Sequence, residues 1–221
     1  MITYLLFIAP GILLSLYAQA KVKSAFNKYS RVRSAQGITG AQAAEAMLAN
    51  AGIQDVKVVP TQGMLSDHYN PVTKTLALSE AVYSQPTVAA VGVACHEAGH
   101  AIQHASNYAP LWIRSALVPT ASIGSSFGIW GMIIGGALGS QGLFMIGVIL
   151  FSAVLLFQLV TLPVEFDASA RAKKLGFQQG LIMQSDREGV SKVLNAAALT
   201  YVAAAVSSLF TLLYFLLASR D

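Results

Sequence analysis

Charge is scarce in this chain. Of its 221 residues, 11% are Asp, Glu, Lys or Arg and 55% are hydrophobic, a balance unlike that of an ordinary soluble domain, where about a quarter of residues are charged. Cysteine is scarcer still: with Cys95 alone, neither an intramolecular disulfide nor a thiolate metal cluster can form, which agrees with a reducing compartment. Repeats of fixed period and low-complexity linkers are absent, so the chain reads as one cooperative unit. No basic-and-aromatic motif accompanies the net charge of +4, which leaves no case for nucleic-acid binding.

Where charge is missing, apolar residues run on. Four stretches, about 2–20, 117–138, 143–162 and 196–217, carry no charge, and each is about long enough to cross a hydrocarbon core. The last three show no polar face, which argues against amphipathic helices of a soluble core. The lack of any charge inside the spans also argues against a transporter, whose ion pathways place one there. Ala18-Gln19-Ala20 has the form of a signal-peptidase site, but no Lys or Arg precedes it and Lys21, Lys23, Lys28, Arg31 and Arg33 follow it; the first run is expected to be an uncleaved anchor. Lys57, Lys74 and Arg114 continue the basic series before the second span, and Arg171, Lys173, Lys174, Arg187 and Lys192 lie between the third and fourth. The positive-inside rule therefore places 21–116 and 163–195 in the cytoplasm, with both termini outside and Arg220 alone on the outer side.

The polar parts carry signals of local structure. Thr39 is expected to cap a helix over 41–51 that ends at Gly52. A short strand is expected at 56–59. Strands at 62–65 and 74–78 form a hairpin around the turn-forming Asp67-His68-Tyr69-Asn70-Pro71. Pro86 suits the first turn of a helix running past His104 and stopping near Pro110. Gly124, Gly128, Gly131, Gly135 and Gly139, mostly four apart, are expected to let another helix approach the second span closely.

With only four histidines and ten carboxylates in the chain, the segment His96-Glu97-Ala98-Gly99-His100 concentrates chemistry. Histidines four apart share a helix face about 6 Å apart, so both imidazoles can reach one Zn²⁺, with Glu97 alongside as general base for a water attacking a carbonyl. A catalytic site needs a third protein ligand and one open position. Glu165, just after the third span, is the favoured ligand; Asp167 competes, but two residues apart on a helix is about 200° of rotation, so the two cannot both face the metal. Asp167 and Arg171 are either an ion pair that orients this helix or a solvated pair. His104 extends the stripe by one more turn, but a metal held between His96 and His100 is about two turns from its reach, so an outer or interfacial position is expected. The pattern with a third histidine would need Gly at Gln103 and His at Ser106, which excludes that class of zinc peptidase. His68 is either an ordinary turn histidine or a donor to the developing oxyanion, and the outer hairpin strand could pair with an extended substrate.

The runs Leu65-Ser66-Asp67-His68-Tyr69-Asn70-Pro71, His96 to His104, and Val164-Glu165-Phe166-Asp167-Ala168 resemble the YugP-type neutral zinc metallopeptidase family across nearly the whole chain. More distantly the chain is similar to the HtpX and CAAX-protease group of membrane zinc peptidases, in which the glutamate of a Glu-x-x-Ala-Asp motif completes the metal site. The resemblance implies Glu165 as ligand. It departs from that motif at Ser169, where the group carries aspartate, which leaves a supporting role there in doubt. It further implies a membrane α-helical protein of the bacterial inner (plasma) membrane, with about four transmembrane helices and a small cytoplasmic α+β zinc-peptidase domain of gluzincin-like type.

The expectation is one Zn²⁺ held by His96, His100 and Glu165, in an endopeptidase that cleaves membrane or membrane-proximal polypeptides at the cytoplasmic face. The alternative is a membrane scaffold or quality-control protein with a structural zinc closed by a fourth ligand, such as His68. The spans permit homo-oligomers without demanding them.

Overall fold

The computed structural model describes residues 2–218, and side chains from residue 7 onward; Arg220 and the side chains at the start of the first expected span lie outside the described residues. Helices dominate, in the order α1 (Ile2–Tyr29), α2 (Gly40–Asn50), strands β1 (Lys57–Thr61), β2 (His68–Asn70) and β3 (Thr75–Ser79), α3 (Glu80–Tyr83), α4 (Val88–Ala105), α5 (Ala109–Ile123), a π-helical turn at Gly124–Gly128, α6 (Ile129–Ala137), α7 (Gln141–Gln178) and α8 (Arg187–Ala218). Two compact units result. One takes in the chain up to Gln19, Ala109–Pro163 and the chain from Leu199; the other takes in Ala20–Tyr108 and Val164–Ala198.

In the first unit, Ala109–Ala137 and parts of α7 and α8 belong to helices long and apolar enough to cross a membrane. Their large apolar side chains point outward: Phe127, Trp130, Leu138 and Ile149 are each more than 60% exposed. Water would penalise such a surface at about 25 cal/mol per Å², so it calls for an apolar surrounding, and membrane association follows. The glycine stripe works as expected. A Cβ on Gly124 would lie 2.2 Å from the Leu150 carbonyl oxygen, Gly131 meets Gly147, and Gly135 sits against the Phe144 backbone. Gly139 differs: its φ of +64° ends the helix and starts the turn into α7.

The second unit is built around α4. Thr39 caps α2 as expected, in a reciprocal box with Gln42, and Gly52 follows the helix at φ +75°. Met47 and Leu48 of α2 pack with Leu76 and Leu78 of β3, Val91, Ala94 and Ala98 of α4, and Val190 and Leu194 of α8 in one buried cluster. The sheet order is β1-β3-β2, with β1 parallel and β2 antiparallel to β3. The central strand is the apolar one, its Leu76 and Leu78 fully buried, while β2 is an edge.

A hairpin is present, but its first arm is not 62–65. Positive φ angles at Gly63 (+99°) and Leu65 (+56°) break that stretch, and the arm is His68–Asn70, within the expected turn. The reversal falls later, where the Asn70 side chain accepts from the Val72 and Thr73 amides and Lys74 takes φ +50°. Asp67 then clamps the base of the hairpin by accepting from the Ser79 amide and hydroxyl. Pro86 also differs from expectation. Its carbonyl accepts from Ser34, Thr87 bridges to Arg33, and α4 begins after Thr87, whose side chain accepts from the Ala90 amide.

Candidate metal centre

Two helices of the second unit make the centre. On α4, His96, Glu97 and His100 follow the helical repeat that buries Ala94, Ala98 and Ala101 on the core side. The other helix is α7, which does not stop at residue 162: Pro163 lies inside it. Past that proline, Val164, Glu165, Ala168, Ser169 and Ala172 are all buried, recurring at helical spacing as one stripe. The helices meet where bulk is least. A Cβ on Gly99 would lie 2.7 Å from the Ala168 carbonyl oxygen and 3.3 Å from its Cα.

That approach brings Glu165 Oε2 to 3.2 Å from His96 Nε2 and 3.5 Å from His100 Nε2, with the three side chains 2%, 12% and 10% exposed. The ligand atoms of all three lie within 4.8 Å of one another. Tetrahedral zinc with bonds of about 2.0–2.1 Å sets neighbouring ligand atoms about 3.3 Å apart. Spacings of 3.2 and 3.5 Å match that edge. Two imidazoles and a carboxylate are also a donor set that zinc accepts, so the residues fit a metal ion.

The outer ring nitrogens are held too. Ser169 Oγ lies 3.1 Å from His96 Nδ1, so the residue that departs from the distant motif has a contact beside a histidine. The Gln103 side-chain oxygen lies 3.0 Å from His100 Nδ1. Burial disfavours charge on His100, but its hydrogen bond to Glu165 and the negative charges of Glu97 and Glu165 outweigh this and hold its pKa above the ordinary value. Glu97 is itself buried, and its carboxylate accepts no hydrogen bond from a protein group among the described residues.

Other expected residues are not members of the metal-competent group among the described residues. His104 receives no place at the centre; its Nδ1 lies 2.7 Å from the Tyr69 hydroxyl. Tyr69 is pushed up to about 12, chiefly by burial, so it stays neutral. His68 is exposed on β2 with Nδ1 2.8 Å from the Ser66 carbonyl oxygen. Asp167 does not point its carboxylate into the group. It pairs with Arg171 at 2.6 Å and also accepts from Gln103 at 2.8 Å, so the reading as a merely solvated pair gives way to one tied into the helix contact. Gln103 was the residue sequence reasoning passed over, noticed only for failing to be glycine. Its signal was a polar side chain one turn beyond His100 on an otherwise apolar helix face. Cys95 is buried, its thiol pushed up to about 12 by desolvation, and plays no part.

Residues 4–220 match the family described as "Putative neutral zinc metallopeptidase". The chain belongs to this family. It is 48% identical over 204 residues to "Putative membrane protease YugP" of Bacillus subtilis (strain 168), an alignment covering 92% of this chain and 91% of that protein. No solved structure matches it. Membership in a zinc metallopeptidase family and a buried His-His-Glu group that could hold a metal point to the same element.

Proposed function

We propose that this protein is a zinc-dependent endopeptidase that hydrolyses peptide bonds of membrane or membrane-proximal proteins at the cytoplasmic face of the bacterial plasma membrane. In this reading the chain crosses the bilayer four times with both termini outside, and the gluzincin-like centre holds one Zn²⁺ through His96 Nε2, His100 Nε2 and Glu165. The observation that carries it is the convergence of these three side chains, from positions 69 residues apart, at the spacing of a zinc coordination edge. When bound, zinc supplies Lewis-acid activation of water and polarisation of the scissile carbonyl.

The chain's own residues supply the rest. Glu97, buried and accepting no hydrogen bond from a protein group among the described residues, takes the proton of the attacking water and delivers it to the leaving amine. The edge strand β2 offers a free side to an extended polypeptide, whose backbone it would align. His68, on that strand, is the proposed donor to the developing oxyanion. A structural-zinc scaffold would need a fourth protein ligand; among the described residues the metal-competent group has three members, and His104 is engaged by Tyr69.

The test is the full chain purified in detergent. Wild type is expected to bind one zinc per chain and to cleave an unfolded polypeptide, and Glu97→Gln to keep the zinc while losing cleavage by at least about 100-fold. Zinc-loaded wild type without cleavage of any polypeptide, or Glu97→Gln cleaving at the wild-type rate, would overturn the assignment.

A further inference from the structure

Gln103 is fully buried, and its amide has three partners. Nε2 donates to the Val164 carbonyl at 2.8 Å and to Asp167 Oδ2 at 2.8 Å, and Oε1 faces His100 Nδ1 at 3.0 Å. The orientation of this amide is fixed by what its neighbours can do. A backbone carbonyl only accepts, and so does an ionised carboxylate, so the NH₂ group must face Val164 and Asp167. Both of its hydrogens are thereby committed, and the oxygen must face His100. An amide oxygen cannot donate, so His100 Nδ1 must carry the hydrogen. In the neutral ring, Nε2, on the Glu165 side, is then the nitrogen with the free lone pair.

No such argument fixes His96. The Ser169 hydroxyl, 3.1 Å from its Nδ1, can rotate to donate or accept. The two histidines are therefore held unequally. Asp167 strengthens the one that is locked, since its Oδ2 also accepts from Arg171; this fixes the carboxylate against which the amide is oriented. Val164 and Asp167 belong to the same helix as Glu165, so the amide that sets the tautomer on α4 reads its orientation from α7.

We infer that Gln103 is a positioning residue that presets His100 as the Nδ1–H tautomer before any metal arrives, with Asp167 and the Val164 carbonyl as the acceptors that aim its amide. This rests on the proposed zinc site but not on proteolysis. A bound metal then meets a lone pair already directed at it, and second-sphere partners of this kind are worth about 10- to 100-fold in metal affinity.

The experiment uses the full chain in detergent, labelled with ¹⁵N-histidine and stripped of metal, at a pH high enough to keep His100 neutral. Four histidines make the spectrum assignable by single His→Gln variants. The ring-nitrogen shifts of wild-type His100 are expected to report the Nδ1–H tautomer, and those of Gln103→Leu a mixture. Zinc affinity, read by competition with a chelator, is expected to fall about 10- to 100-fold in Gln103→Leu and only a few-fold in Asp167→Ala, where Val164 still orients the amide. His100 as the Nε2–H tautomer in wild type would overturn the inference, as would unchanged zinc affinity in a folded Gln103→Leu. The tautomer is read without metal, so a wild type that binds no zinc refutes the proposed function and still leaves this inference tested. If Gln103→Leu fails to fold, the wild-type tautomer and Asp167→Ala decide it.

Discussion

Gly99→Ala probes whether the centre depends on the closeness of two helices rather than on its ligands alone. The new Cβ would lie 2.7 Å from the Ala168 carbonyl oxygen, where real contacts rarely fall below 3.0 Å and ordinary contact begins at 3.4 Å, so α4 and α7 would have to separate by about 0.3–0.7 Å. The obstacle is backbone, which no rotamer change can relieve. Overpacking of this kind costs about 1–3 kcal/mol. The chemical consequence is larger. Glu165 rides on the displaced helix, and its 3.2 and 3.5 Å spacings to the histidines would open beyond the tetrahedral edge of about 3.3 Å. The assay pairs zinc stoichiometry after dialysis with thermal unfolding in detergent, and Ala98→Gly serves as a neighbouring control. Gly99→Ala is expected to lose most of its zinc while keeping its helical signal. If it binds zinc as tightly as wild type and melts at the same temperature, the close helix contact is not what assembles the group.

His96→Ala, His100→Ala and Glu165→Ala are each expected to drop zinc content to well under half of wild type, measured by atomic emission on purified protein. Zinc retention should weaken as pH falls: the raised pKa of His100 means protons compete for its nitrogen from a higher pH than at an ordinary histidine, and binding releases that proton. Dialysis at pH 5 and at pH 7.5 with residual zinc counted checks this, and equal retention at both would contradict it. Cys95, with its thiol pushed up to about 12 in a fully buried site, should resist a maleimide in the native state and react only after denaturation. Asn70→Ala should loosen the hairpin turn by about 1 kcal/mol by freeing two amides, visible as faster hydrogen exchange at Val72 and Thr73.

Much of the centre was legible because helical periodicity is strict. His96 and His100 declare their common face by spacing alone, and the roughly 200° between Glu165 and Asp167 means that only one of the two can face that pair. Thr39 and Gly52 bounded α2 for the same reason, since capping chemistry is local. The hairpin is hard to read because its turn is set by the Asn70 side chain and by Lys74 at positive φ, while positive φ at Gly63 and Leu65 breaks the stretch before it, and none of these alters the hydrophobic alternation from which strands are read. Gln103 stayed hidden for a different reason. Its meaning depends on Val164 and Asp167, more than 60 residues away, and a lone buried amide carries no sequence signature until its partners are in place. Ser169 stayed unread for a similar reason: its hydroxyl lies 3.1 Å from His96 Nδ1, across 73 residues of sequence, and nothing local marks that contact.

The stripe on α7 gathers Glu165, Ser169 and the acceptors of Gln103 onto a single rod. No one of these contacts can be lost by moving that rod without disturbing the others, so occupancy of the centre and docking of 164–178 against α4 are one equilibrium seen from two ends. By mass action a bound ion would add RT ln(1 + [L]/Kd) to the docked state, about 2.7 kcal/mol at a hundredfold excess over Kd. A chelator would then act as a mechanical reagent, loosening a helix seam by withdrawing an ion.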